Sequence, residues 1–95
     1  MGKPIERLGD IGSGHSCYPP RPIVTSSPNV FVDGIPVSRV GDSYAPHACP
    51  HTSPHGASQA GGSPTIKVNG SPVSRIGDAI SCGSVVATAS TSSFA

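Results

Sequence analysis

Apolar residues in this chain alternate with polar ones only in short bursts, and each burst is closed by a turn signal. Val30 and Val32 flank Phe31 ahead of Asp33-Gly34, with Val37 and Arg39 following; Ile66, Val68, Asn69-Gly70, Val73 and Arg75 repeat the arrangement. Asp-Gly or Asn-Gly between short β-branched runs predicts a hairpin, because a type I′ turn needs positive φ at both central residues. Pro36 and Pro72 carry no ladder donor and belong on an edge or at a strand start. No segment sustains a helical period of adequate length. The expected fold is therefore all-β, made of short hairpins joined by long loops.

The bursts are copies of one another. Residues 27–42, S-P-N-V-F-V-D-G-I-P-V-S-R-V-G-D, align without gaps on residues 63–78, S-P-T-I-K-V-N-G-S-P-V-S-R-I-G-D. Arg7-Leu8-Gly9-Asp10 matches the end of that unit, while Val86-Ala87-Thr88-Ala89-Ser90 leading to Phe94-Ala95 matches Ile23-Val24-Thr25-Ser26-Ser27 leading to Phe31-Val32. Two full units and two halves imply three, the third split between the chain ends. Approximate three-fold internal symmetry and adjacent termini follow as expectations.

Composition alone points elsewhere. The 95 residues include 12 Gly and 11 Pro, a share that favours disorder unless those residues recur at fixed places, as they do here. The length suits one domain, residues 1–95. With 35% hydrophobic residues, 4% aromatics and no Trp, an apolar core offsets only part of the ordering entropy, so a staple is expected. A net charge of +1 without any Lys or Arg run argues against nucleic-acid binding. The apolar stretches are far short of the roughly 20 residues that span a bilayer, and residues 1–10 lack the apolar core of a signal peptide. A cytoplasmic origin is expected, with export only by a dedicated machine.

The staple is sought among three cysteines and four histidines. After each Gly-Asp comes a metal-ligand type at similar spacing: His15 after Asp10, His47 after Asp42 and Cys82 after Asp78. Loops related by a three-fold axis would bring these side chains together. A tetrahedral zinc needs a fourth ligand, to be found among Cys17, Cys49, His51 and His55. His55 is the choice, because its turn-rich loop, Cys49-Pro50-His51-Thr52-Ser53-Pro54-His55-Gly56, can bend an imidazole back to the apex; Cys17, Cys49 and His51 stay open as replacements. Such a zinc would contribute on the order of 10 kcal/mol to folding.

A closed four-ligand site leaves no position for a reactive water, and no His-Glu-x-x-His or Ser-His-Asp pattern stands out, so no enzyme is expected. Asp10, Asp42 and Asp78 are expected to bond backbone amides in the repeat turns, and Glu6 and Asp33 to be solvated. A small metalloenzyme would need an open zinc site, which cobalt substitution and added anions would reveal.

The doubled S-P-x-[VI]-x-V-[ND]-G-x-P…R-[VI]-G-D unit with interleaved His and Cys loops resembles the PAAR-repeat family over residues 7–95. Where that family has Pro-Ala-Ala-Arg, this chain has Pro36-Val37-Ser38-Arg39 and Pro72-Val73-Ser74-Arg75, keeping Pro and Arg. The resemblance implies a small cone with structural zinc near its point, held by three histidines and one cysteine that map onto His15, His47, His55 and Cys82. It also implies a spike tip capping a trimeric β-helical spike, one cap per trimer, in a type VI secretion system or contractile phage tail, making transient contact with a target membrane. Three pseudo-equivalent hairpins in one chain can match three identical chain ends and cover their open strand edges. The implied location is a phage virion, or a bacterial cytoplasm followed by delivery outside the cell. An alternative within the same fold is a zinc-binding adaptor that docks a toxin or other effector cargo onto the spike; the short tail after the last half-unit argues against a fused toxin.

Overall fold

The computed structural model describes residues 2–14, 20–47 and 55–95, with only the backbone described for His47 and His55. The described residues contain short strands and no helix: β1 (Ile11–Gly12), β2 (Arg21–Pro22), β3 (Phe31–Val32), β4 (Ile35–Pro36), β5 (Ser43–His47), β6 (His55–Ser58), β7 (Lys67–Val68) and β8 (Ser71–Pro72). They pair in sequence order as antiparallel ladders, β1–β2, β3–β4, β5–β6 and β7–β8.

Both predicted hairpin turns are present. Asp33 and Gly34 have φ of 55° and 74°, and Asn69 and Gly70 have 53° and 82°, the two positive angles that a type I′ turn requires. Phe31 then faces Pro36 and Lys67 faces Pro72. A third pairing of the same form joins the chain ends, where Pro4 bridges Phe94 and Lys3 and Ala95 exchange two backbone bonds of 2.9 Å. Pro4-Ile5-Glu6-Arg7 thus occupies the place that Pro36-Val37-Ser38-Arg39 and Pro72-Val73-Ser74-Arg75 hold in the other units.

These pieces are tied to one another in cyclic order. Arg7 bridges Val37, Arg39 bridges Val73 and Arg75 bridges Ile5. One residue along, the Ser38 amide donates to the Glu6 carbonyl at 3.1 Å, Ser74 to Ser38 at 3.0 Å and Glu6 to Ser74 at 2.9 Å, closing a triangle of backbone bonds. Ile5, Val37 and Val73 are buried beside it with Val68, and Val32 and Ala95 pack on their edge. A second cluster, Ile23, Tyr44 and Ile80, is flanked by Ala57 and Cys82. Both clusters are small, and much of the interior is polar, including Glu6, Arg21, Gln59 and several serines. Paired polar groups must therefore carry much of the specificity of this fold.

The Arg-x-Gly-Asp turns show how. Gly9, Gly41 and Gly77 take φ of 89°, 95° and 81°, a region that glycine enters at little steric cost. The chain then reverses so that each Asp accepts from the backbone amide and the guanidinium of its own Arg. Oδ2 of Asp10, Asp42 and Asp78 lies 2.8, 2.8 and 2.9 Å from the Arg7, Arg39 and Arg75 amides, and 3.0, 3.1 and 2.9 Å from their Nε atoms. The expectation of Asp-to-amide bonding holds at all three turns.

Three expectations need correction. Glu6 is not solvated: it is fully buried at the backbone triangle, because its position is the one that Ser38 and Ser74 fill in the other units. Asp33 is exposed but partnered, accepting from Arg7 Nη1 at 3.2 Å and from the hydroxyls of Ser90 and Ser92. Those two hydroxyls, with lesser help from Arg7, hold its carboxyl below the usual range. Finally, the histidine-bearing segments are not plain loops, since their flanks form β5 and β6, the longest strands described. Ser43-Tyr44-Ala45-Pro46-His47 lacks an alternating β-branched pattern; the pairing of Tyr44 with Ala57 on one side and its bridge to Ile23 on the other hold the strand in place.

Candidate metal centre

The β5–β6 ladder sets two of the four expected ligands opposite each other. Ser43 pairs with Ser58 and Tyr44 with Ala57; after a shift in register, His47 pairs with His55. His15 lies outside the described residues, as do Cys17, Cys49 and His51. Among the described residues no three His, Cys, Asp or Glu side chains form a metal-binding group.

The backbone around these positions is gathered in one region. The Ser81 amide donates to the Ser58 carbonyl at 2.9 Å, and the Ser58 amide to Ser81 Oγ at 3.0 Å, which sets the chain entering Cys82 beside the end of β6. On the other side of Cys82, the Ser13 amide donates to the Val85 carbonyl at 2.8 Å, and the Val85 amide to Ser13 Oγ at 3.1 Å. The segment that runs on towards His15 is thereby joined to the segment that follows Cys82.

Cys82 is half-buried, and its surroundings suit a ligand. Arg21 Nη2 donates to Sγ at 2.7 Å, and Ser84 Oγ lies 3.5 Å from the same sulfur. Burial pushes the thiol up, but the bonds with Ser84 and the charge of Arg21 outweigh it and leave the group below the ordinary thiol range. The thiolate is the form that binds zinc, and a sulfur with imidazoles is a donor set zinc accepts. The residues present fit the metal in this chemical sense.

Arg21 is the site residue that the sequence reading missed. Its side chain is almost wholly buried, and it makes no ion pair with an acid among the described residues. Nη1 donates to the Ser13 carbonyl at 2.8 Å and to Ser84 Oγ at 3.3 Å, and the guanidinium lies 5.1 Å from the centre of the Tyr44 ring. A buried cation is costly without a counter-charge, and a thiolate at Cys82 is the group in reach to supply one. No periodicity pointed to Arg21, since the aligned position of the following unit is Ala57.

The hairpin ladders present apolar side chains to solvent. Phe31 and Phe94 are 55% and 56% exposed, and Val30 and Ile66 lie beside them in sequence or repeat position with substantial exposure. Phe31, Lys67 and Phe94 each pair with the proline of their own unit, so they occupy corresponding places.

A family model described as PAAR motif matches residues 13–88. No curated protein matches the chain.

Proposed function

The chain belongs to the PAAR motif family, that of spike-tip proteins of contractile injection systems, and from this premise we propose that it caps and sharpens a trimeric β-helical spike. The observation that carries the reading is the cyclic triangle of Glu6, Ser38 and Ser74 with its three outlying pairings. It supports an approximate three-fold arrangement within one chain, the geometry a monomer needs to meet three identical chain ends. The exposed Phe31, Val30, Ile66 and Phe94 supply apolar contact for such a partner.

In this reading His15, His47, His55 and Cys82 hold a structural zinc near the opposite end. When bound, the metal supplies a closed tetrahedral cross-link between segments distant in sequence. Arg21 fixes the sulfur of Cys82, and the β5–β6 ladder fixes the backbone of His47 against that of His55. The role is mechanical and non-catalytic: the tip resists fraying as it is driven through a target membrane. The protein then resides on a phage tail, or in a bacterial cytoplasm until its machine fires.

The test joins metal content to assembly. Protein purified without added metal is expected to contain about one zinc per chain and to bind a trimeric β-helix at one copy per trimer. His15→Ala, His47→Ala, His55→Ala and Cys82→Ala are each expected to lose the metal and most of the stability, since structural zinc is worth on the order of 10 kcal/mol. A folded, zinc-free wild-type protein would overturn the staple. Zinc-loaded protein that binds the trimer and also holds a toxin there would favour the adaptor reading, and zinc-loaded protein that ignores the trimer would overturn both.

A further inference from the structure

The geometry points to a neutral carboxylic acid at the centre of the fold: Glu6 holds one proton in the folded protein, and alkaline loss of that proton loosens the triangle that ties the three repeats together.

Tyr44 Oη lies 2.6 Å from Glu6 Oε2 and 2.7 Å from Gln59 Oε1. The Gln59 amide cannot be turned round to relieve this, because its Nε2 donates to the carbonyls of Gly61 at 2.9 Å and Ala79 at 3.2 Å. Oε1 is therefore an acceptor. A phenol has one proton and cannot serve two acceptors. If Glu6 is ionised, either its carboxylate or Gln59 Oε1 goes without a donor. If Glu6 is protonated, its O–H donates to Tyr44 Oη, Tyr44 donates to Gln59, and the chain of bonds is complete.

The surroundings agree. Glu6 is fully buried, and its other oxygen, Oε1, has no hydrogen-bond partner among the described residues. A buried carboxylate usually needs several donors, and among the described residues this one has a single well-formed one, Tyr44, with the Ser74 hydroxyl giving weaker help. The nearby charges are unfavourable too. Asp10 and Asp42 are both acids, while Arg21 lies against the face of the Tyr44 ring and makes no ion pair with Glu6. Burial, offset in part by the Tyr44 and Ser74 hydroxyls and reinforced by the two aspartates, pushes Glu6 up to about 8. Burial and the neighbouring Glu6 push the Tyr44 phenol well above its ordinary range, so it stays a donor throughout.

The sign follows. A group that titrates higher in the folded chain than in the unfolded one binds more protons when folded, so its stabilising contribution is full at low pH and fades as pH rises. For Glu6 the window runs from its ordinary 4.5 to about 8. The Glu6 backbone amide and carbonyl are two of the triangle's bonding groups, so strain at the side chain acts directly on that closure.

Two measurements decide the matter. Glu6→Gln keeps the shape and replaces the O–H by an amide N–H that donates to Tyr44 at every pH. The ratio of the unfolding constants of wild type and Glu6→Gln, followed from pH 6 to 9 in buffered zinc, is expected to rise by about tenfold per pH unit until it flattens near pH 8. Groups common to both proteins cancel in that ratio, including any metal ligands, and a flat ratio overturns the proposal. The second measurement does not depend on the variant folding. Glu6 is the single glutamate of the chain, so a carboxyl-labelled glutamate gives one carbon resonance in the wild-type protein. Its midpoint is expected near pH 8, and a midpoint between pH 4 and 5 overturns the proposal.

Discussion

Two neighbouring layers of the molecule use one backbone plan differently. At the Arg-x-Gly-Asp turns the three units agree in sequence and in bonding, down to paired distances within a few tenths of an ångström. Two residues beyond each Asp the chain still pairs cyclically, with Tyr44 bridged to Ile23, Ile80 to Gln59 and Gly12 to Val86. The side chains, however, are now a phenol, a β-branched sec-butyl group and a hydrogen. Repetition closes the backbone, and departures from it supply the individual groups: Tyr44 reaches Glu6, and Arg21 reaches Cys82. Equivalent substitutions should therefore have similar effects at the turns and unlike effects in the Tyr44 layer.

Between these two layers the larger expected effect lies at the turns. Asp42→Ala removes the acceptor for the Arg39 amide and guanidinium and for Thr25 Oγ1, 2.9 Å away. Losing several charge-assisted bonds around a mostly buried carboxylate should cost about 2–4 kcal/mol. Asp10→Ala should match it, because Thr88 Oγ1 bonds Asp10 at 3.0 Å in the same way. Asp78→Ala should cost somewhat less, since Gly61 stands where the threonines stand and offers no hydroxyl. Denaturant unfolding of the three variants under equal zinc checks this. A single dominant turn, with the others nearly silent, would break the equivalence.

This contrast also explains what could be read from the sequence. The turns were legible because glycine at positive φ and Asp beside its own Arg have few substitutes, so the letters repeat wherever the geometry does. The third Pro-x-x-Arg copy at Pro4–Arg7 was equally legible, and extending the alignment from Arg7 back to Pro4 would have set Glu6 beneath two buried serines. That step would have removed Glu6 from the solvated acids. The β5–β6 ladder and Arg21 carried no such mark. One depends on long-range packing around Tyr44, and the other on a sulfur that lies far along the chain. Of the proposed metal centre, the residue types were visible, and the register of His47 on His55 came only with the fold.

A middle-sized effect is expected in the unlike layer. A methyl at Gly12 would meet Ile80 Cδ1 at 2.7 Å, Tyr44 Cε2 at 2.9 Å and Arg21 Nη1 at 3.2 Å. Gly12 is small because its two counterparts are large. Gly12→Ala should destabilise by about 1–3 kcal/mol through overpacking. It should also weaken zinc retention, because Arg21 cannot yield without moving from Cys82. Competition with a chelator, read beside thermal unfolding, tests the link. Lost stability with unchanged metal affinity would separate the layer from the site.

The smallest effect is at the triangle itself and has the opposite sign. Ser38 and Ser74 are fully buried, and neither hydroxyl has a partner among the described residues. Their contribution to the ring comes through backbone groups that alanine also carries. An unpaired buried hydroxyl costs free energy, and the void left by removing one oxygen is small, so Ser38→Ala should stabilise by about 0.5–1 kcal/mol. Ser74→Ala should gain less, because the Ser74 hydroxyl also acts on the Glu6 carboxyl. If either variant is instead destabilised by more than about 1 kcal/mol, that hydroxyl is bonded in the folded protein, and for Ser74 the partner is the Glu6 carboxyl. That outcome would give Glu6 a further donor and lower the pH at which it ionises, so the serine variants measure from the other side how strongly the centre of the fold holds its proton.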